Sequence, residues 1–120
     1  MEEEVKQWWN KAVDDLEKAR ILARNKKYDG ALFYCQQAVE KGLKALLIKE
    51  KNKLRKIHDL VELGKEVNLP ENFSVYCKEL TQAYIYSRYP GIPEEYNLSN
   101  ITTDFLRYAR EILAWIEKKL

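Results

Sequence analysis

At 120 residues and a net charge of +2, the chain has room for one hydrophobic core and not two, over a surface of mixed sign that neither demands nor excludes nucleic acid. Four glycines and three prolines, the first proline being Pro70, argue against an all-β fold and leave the first half free to run as helix. The expectation is a single all-α domain over residues 1–120 that buries its core without metal or disulfide.

The chain opens with Met1-Glu2-Glu3-Glu4, acidic where a signal peptide would be basic, and no apolar run approaches the roughly 20 residues of a membrane span. A cytoplasmic protein with no membrane segment is expected. From Val5 to about Lys27, Val5, Trp8, Trp9, Ala12, Leu16, Ala19, Leu22 and Ala23 recur at the three-and-four spacing of one helical face.

The next helix is cleaner, because winding Ala31–Leu46 at ~100° per residue gathers Ala31, Leu32, Cys35, Ala38, Val39, Gly42, Leu43 and Leu46 into one arc. Opposite that arc lie Gln36, Gln37, Glu40, Lys41 and Lys44, with Gln37, Lys41 and Lys44 on successive turns. Two readings stand for this strip: a solvated face with a Glu40–Lys44 pair, or a polar surface that contacts phosphate or a partner.

Lys49, Lys51, Lys53, Arg55 and Lys56 then form a basic connector. His58-Asp59 suits the start of a short helix through Leu60, Val61, Leu63 and Val67 that stops near Asn68-Leu69-Pro70. Helical spacing resumes over Glu71–Tyr86. Arg88-Tyr89-Pro90-Gly91-Ile92-Pro93 is too rich in breakers for helix interior, and it holds Arg88 before a rigid turn. Thr102 or Thr103 is the expected cap of a last helix with Phe105, Ala109, Ile112, Leu113, Ile116 and Leu120 on one face.

Four long helices and one short one predict an antiparallel four-helix-type bundle with an additional short helix. Three tryptophans and eight tyrosines exceed what one small core needs, which predicts a homodimer. Cys35 and Cys77 sit in apolar helical pattern and read as reduced core thiols. One histidine and two distant cysteines supply no metal-ligand set, and no phosphate loop or Ser-His-Asp arrangement is evident, so no metal and no cofactor are expected.

The run Tyr28-Asp29-Gly30-Ala31-Leu32-Phe33-Tyr34-Cys35-Gln36-Gln37-Ala38-Val39-Glu40-Lys41-Gly42-Leu43-Lys44-Ala45-Leu46-Leu47 resembles the signature second helix of the HEPN domain. Ile57-His58-Asp59-Leu60 resembles that family's His-Asp-Leu element, and Tyr86-Ser87-Arg88-Tyr89-Pro90 its Arg-Tyr-Pro element, in the same order along the chain. The likeness is to small stand-alone bacterial and archaeal members. It implies an antiparallel helical bundle that dimerises, a link to nucleotides or RNA, and pairing with a small nucleotidyltransferase of the toxin–antitoxin kind.

Many members of the family are metal-independent ribonucleases with an arginine followed, four to six residues on, by a histidine. This chain departs from that pattern: no histidine follows Arg88, and His58, the sole histidine, comes too soon after Arg55 to match. The leading expectation is therefore a nucleotide- or RNA-binding module with Arg88, Tyr89, Gln37, Lys41 and Lys44 as ligand contacts. The alternatives are a ribonuclease using Arg88 and His58, and a purely structural interaction module.

Overall fold

The computed structural model describes residues 2–93 and 95–120. Met1, at the head of the acidic start, and Glu94 lie outside the described residues. Those described form six helices: α1 Glu3–Arg24, α2 Tyr28–Lys51, α3 Leu60–Glu66, α4 Glu71–Thr81, α5 Ala83–Arg88 and α6 Leu98–Lys119. None is long and apolar enough to cross a membrane.

α1 begins with Glu3 and Glu4 at its positive end and stops where Lys26 takes a left-handed φ of 60°. There the Lys27 N–H returns to the Leu22 carbonyl at 2.8 Å and the Lys26 N–H to that of Ala23 at 3.1 Å, satisfying two orphaned acceptors. α3 ends the same way, with Asn68 left-handed and Leu69 bonded back to Gly64 at 2.9 Å. The turn after α1 returns α2 along it, and α2 touches every other helix, making it the central column.

All eight residues of the expected arc on α2 are buried. They meet Val5, Trp9, Ala12, Leu16 and Ala19 of α1 and Phe105, Ala109, Ile112 and Ile116 of α6 in one core. Gly42 sets the closest approach: a methyl group there would stand 2.6 Å from Leu113 Cδ2 and 3.2 Å from Ile116 Cδ1. Cys35 and Cys77 are free and buried, and burial pushes each thiol up to about 12.

Two expectations of detail need correction. The helical pattern over Glu71–Tyr86 is two helices, α4 and α5, because the Thr81 hydroxyl bonds back to the Cys77 carbonyl at 2.9 Å and the Gln82 N–H tightens to the carbonyl three residues before it. The last helix starts at Leu98, not at Thr102 or Thr103, because Asn97 caps it, its side chain accepting from the Asn100 N–H at 3.0 Å. The architecture is the expected all-α, four-helix-type bundle with an additional short helix, the fourth long helix being divided into α4 and α5.

The face opposite the apolar arc of α2 also departs from the first of the two readings open for it, a solvated strip. Glu40 and Lys44 are buried, their side-chain atoms 3.0 Å apart, and Lys41 is half-buried against Asp15 of α1. From Ala38 through Ile48, α2 is buried almost all round, so its polar residues are neutralised in pairs and not hydrated.

Candidate functional site

Arg88 is the last residue of α5, and the chain leaves the helix at Tyr89, whose backbone is extended. Pro90 and then Gly91, with φ of 75°, carry the chain away. One turn back on α5, the Tyr84 ring lies beneath the Arg88 guanidinium, with Cζ 4.0 Å from the ring centroid. Stacking of this kind removes rotamer freedom from an exposed arginine while leaving its edge donors free.

The stacked pair borders a cleft of about 430 Å³. Phe33, Gln36, Gln37 and Glu40 form its α2 wall, Ala83 and Tyr84 its α5 wall, with Thr81 beside them and His58 coming from the connector before α3. Phe33 and Arg88 also border an adjoining depression of about 280 Å³ with Asp29, Gly30 and Ser87. Arg88 therefore stands between two concave surfaces.

Asp59, one residue after His58, caps α3 by accepting from the N–H groups of Val61 and Glu62 at 3.0 and 3.2 Å. That cap fixes the backbone from which the His58 ring reaches back to α2. His58 Nδ1 lies 2.9 Å from Glu40 Oε2, the oxygen that also receives the Lys44 ammonium at 3.0 Å. The Gln37 amide donates to Gln36 Oε1 at 2.9 Å, and Gln36 in turn reaches toward Glu40 Oε1 at 3.5 Å. A buried carboxylate thus gathers cleft-lining polar groups into one network.

Of the residues expected at the site, Arg88, His58 and Gln37 share the cleft. Lys41 and Lys44 do not line it, since Asp15 and Glu40 hold their ammonium groups and Lys44 also lies against the Trp8 ring. Tyr89 is 60% exposed and lies outside the cleft lining, carried away by the extended backbone after α5. Phe33, Tyr84 and Glu40 are cleft residues that are not among those expected from the sequence. Tyr84 and Arg88 are four apart, as are Phe33 and Gln37, and that spacing was the available signal.

The basic connector is largely occupied. Lys49 donates to the carbonyls of Lys119 and Leu120 at the end of α6, and Arg55 and Lys53 share Glu66, at 2.7 and 3.7 Å. Among the described residues, no three His, Cys, Asp or Glu side chains gather in a way that would hold a metal ion.

The family model for the HEPN domain matches residues 5–119. No curated protein matches the sequence. Among solved structures, TT1696 from Thermus thermophilus is 28% identical, with a TM-score of 0.85 over 97% of this chain and 98% of that one. ST0689, described as an archaeal HEPN homologue, is 29% identical with a TM-score of 0.81 over 95% of each chain.

Proposed function

The chain belongs to the HEPN domain family, and we propose that within it this protein is a nucleotide- or RNA-binding module that holds phosphate at Arg88. The observation that carries this reading is the guanidinium laid 4.0 Å from the Tyr84 ring centroid at the edge of the cleft shared with His58 and Gln37. A planar cation with free edge donors suits a phosphate, and an arginine already stacked loses little freedom on binding. Phe33 and Tyr84 give the cleft aromatic surface beside that charge, the combination a nucleotide requires.

Titration with a labelled RNA oligonucleotide and with adenosine nucleotides tests the reading. Arg88→Ala should weaken binding by about 1.5–3 kcal/mol, the range for a hydrogen bond to a charged group, and Arg88→Lys should restore part of it. Binding at full strength in Arg88→Ala would place the ligand elsewhere. A chain that binds neither probe is better read as a structural interaction module.

The proposed state is a homodimer joined through the exposed side chains of α5 and the segment after it, where Tyr84, Ile85, Tyr89 and Tyr96 are each about half exposed or more. Light scattering at micromolar concentration should give about twice the 14.3 kDa chain mass. A small nucleotidyltransferase is the proposed partner, in a pairing of the toxin–antitoxin kind, and an adjacent reading frame for such an enzyme would support it.

One observation favours a second reading, a metal-independent ribonuclease: His58 and Arg88 border the same cleft within one chain. In that reaction the 2′-oxygen attacks phosphorus and gives up its proton, and the 5′-oxygen leaves and takes one, yielding a 2′,3′-cyclic phosphate and a 5′-hydroxyl. His58 is the one imidazole available for proton transfer and Arg88 the charge on the phosphorane. Cleavage that survives His58→Ala excludes this role. With one histidine per chain and none following Arg88, the expected outcome is binding without turnover.

A further inference from the structure

We propose that Glu40 is a positioning residue for His58, fixing the imidazole as the Nδ1–H form so that Nε2 serves the cleft as a hydrogen-bond acceptor. This rests on the reading that the cleft holds a nucleotide with its phosphate at Arg88. A carboxylate only accepts hydrogen bonds, so the ring nitrogen 2.9 Å from Glu40 Oε2 must be the donor. That nitrogen is Nδ1, which leaves Nε2 of the neutral ring without a proton.

Burial makes the arrangement specific. The Glu40 side chain is 5% exposed, whereas that of His58 is 80% exposed and borders the cleft. The buried end of the pair is anchored twice more, by Lys44 on the same oxygen and by Gln36 toward the other. Glu40 therefore has fixed partners on α2 itself, and the ring that leans on it takes its orientation from the rigid helix and not from the connector.

The consequence for a ligand is a division of labour. Phosphate oxygens accept and suit Arg88, while Nε2 of the neutral ring repels them and accepts only from a donor. In a nucleotide, the donor nearest a 3′-phosphate is the ribose 2′-hydroxyl. His58 then discriminates ribose from deoxyribose, and Glu40 supports that discrimination without touching the ligand.

The chain's sole histidine makes the test direct, since its ring nitrogens give unambiguous signals in a ¹⁵N-labelled protein. At about pH 8.5, above the usual imidazole range, the wild-type spectrum should show a protonated Nδ1 and a bare Nε2. In Glu40→Leu/Lys44→Met, which removes both buried charges and so avoids stranding one, the ring should revert toward the Nε2–H form that an unconstrained histidine side chain prefers. A merely structural Glu40 would not move that signature. A wild-type ring protonated mainly on Nε2 overturns the proposal whether or not the double variant folds.

At the same pH, adenosine 3′-monophosphate should bind the wild type roughly 2- to 12-fold more tightly than its 2′-deoxy counterpart, the span of one net hydrogen bond. That ratio should fall to one in His58→Ala, whereas Arg88→Ala should weaken both ligands alike. Equal affinity for the two nucleotides in the wild type overturns the acceptor role. Failure of both nucleotides to bind would instead refute the phosphate reading of the cleft, while the ring spectrum still decides whether Glu40 positions His58.

Discussion

Leu32, Leu43 and Leu46 of α2 are shielded completely by the surrounding core, whereas on neighbouring α5 Tyr84 stands 54% exposed and Ile85 46%. Both helices carry large apolar side chains at helical spacing, and α5 packs on α2 as α1 and α6 do. The difference is in what remains once the core is closed: α2 spends its apolar surface on stability, and α5 keeps much of its own facing solvent beside Arg88. An aromatic residue in this chain therefore reports a core or a surface for something else according to which helix holds it.

The sharpest way to break this comparison is a truncation on each side. Leu43→Ala should cost about 2–5 kcal/mol in denaturant unfolding, because the residue is fully buried where Gly42 brings α2 close to α6 and the site has little room to collapse. Tyr84→Ala should stay within about 0.5 kcal/mol when unfolding is followed at a concentration dilute enough for the chain to be monomeric, as expected of a position exposed within one chain. Comparable losses at both would mean that α5 is part of the stabilising core.

The next contrast is between stability and binding at a single residue. Arg88→Ala, expected to take about 1.5–3 kcal/mol from nucleotide binding, should leave the unfolding free energy within about 0.5 kcal/mol. Arg88 lies at the surface, its stacking partner Tyr84 is exposed, and no helix end depends on its side chain. A large stability loss would make Arg88 a structural residue and the cleft an incidental feature of packing.

The two regions also differ in how well the sequence reveals them. On α1 and α2 the period of the apolar residues settles which face is buried, since burial there depends on one helix presenting one stripe. The polar strip of α2 misled because a helix wheel cannot show that α1 and the connector before α3 bury Glu40, Lys41 and Lys44 from the other side. Arg88, His58 and Gln37 were legible by residue type, and the break at Gln82 was not, because it arises from a Thr81 hydroxyl competing for a carbonyl. The pairing of His58 with Glu40 joins residues 18 apart, beyond the reach of local pattern.

The buried thiols give a pH-dependent way to sharpen the core side of the comparison. Desolvation holds Cys35 and Cys77 neutral to about pH 12 when folded, against an ordinary value of 9.0. A group raised in this way contributes stability that is complete below pH 9 and is lost as pH rises from there toward 12, since the unfolded thiol releases its proton first. Each thiol should remove about 1.4 kcal/mol per pH unit within that window. Cys35→Ala/Cys77→Ala should be less stable at pH 7 yet decline more gently above pH 9, tyrosines and lysines titrating alike in both proteins. Parallel declines would mean that the thiols are solvated.

The smallest expected effect concerns the segment that joins the two regions, the first turn of α6 beyond the Pro90–Pro93 loop. Asn97 satisfies the Asn100 N–H, so Asn97→Ala should cost about 1 kcal/mol in thermal or denaturant unfolding. Thr102 and Thr103 offer cap chemistry on paper, but their hydroxyls donate backward to the carbonyls of Leu98 and Ser99 at 2.6 and 3.1 Å, the habit of threonine inside a helix. Thr103 is exposed, so Thr103→Ala should be neutral or stabilising by a few tenths of a kcal/mol through better helix propensity. The reverse pattern, a loss at Thr103→Ala with none at Asn97→Ala, would start the helix a full turn later. Residues 98–101 would then join the loop after α5, and the packing of Leu98 and Ile101 against the core, which ties that loop to α6, would have to be given up.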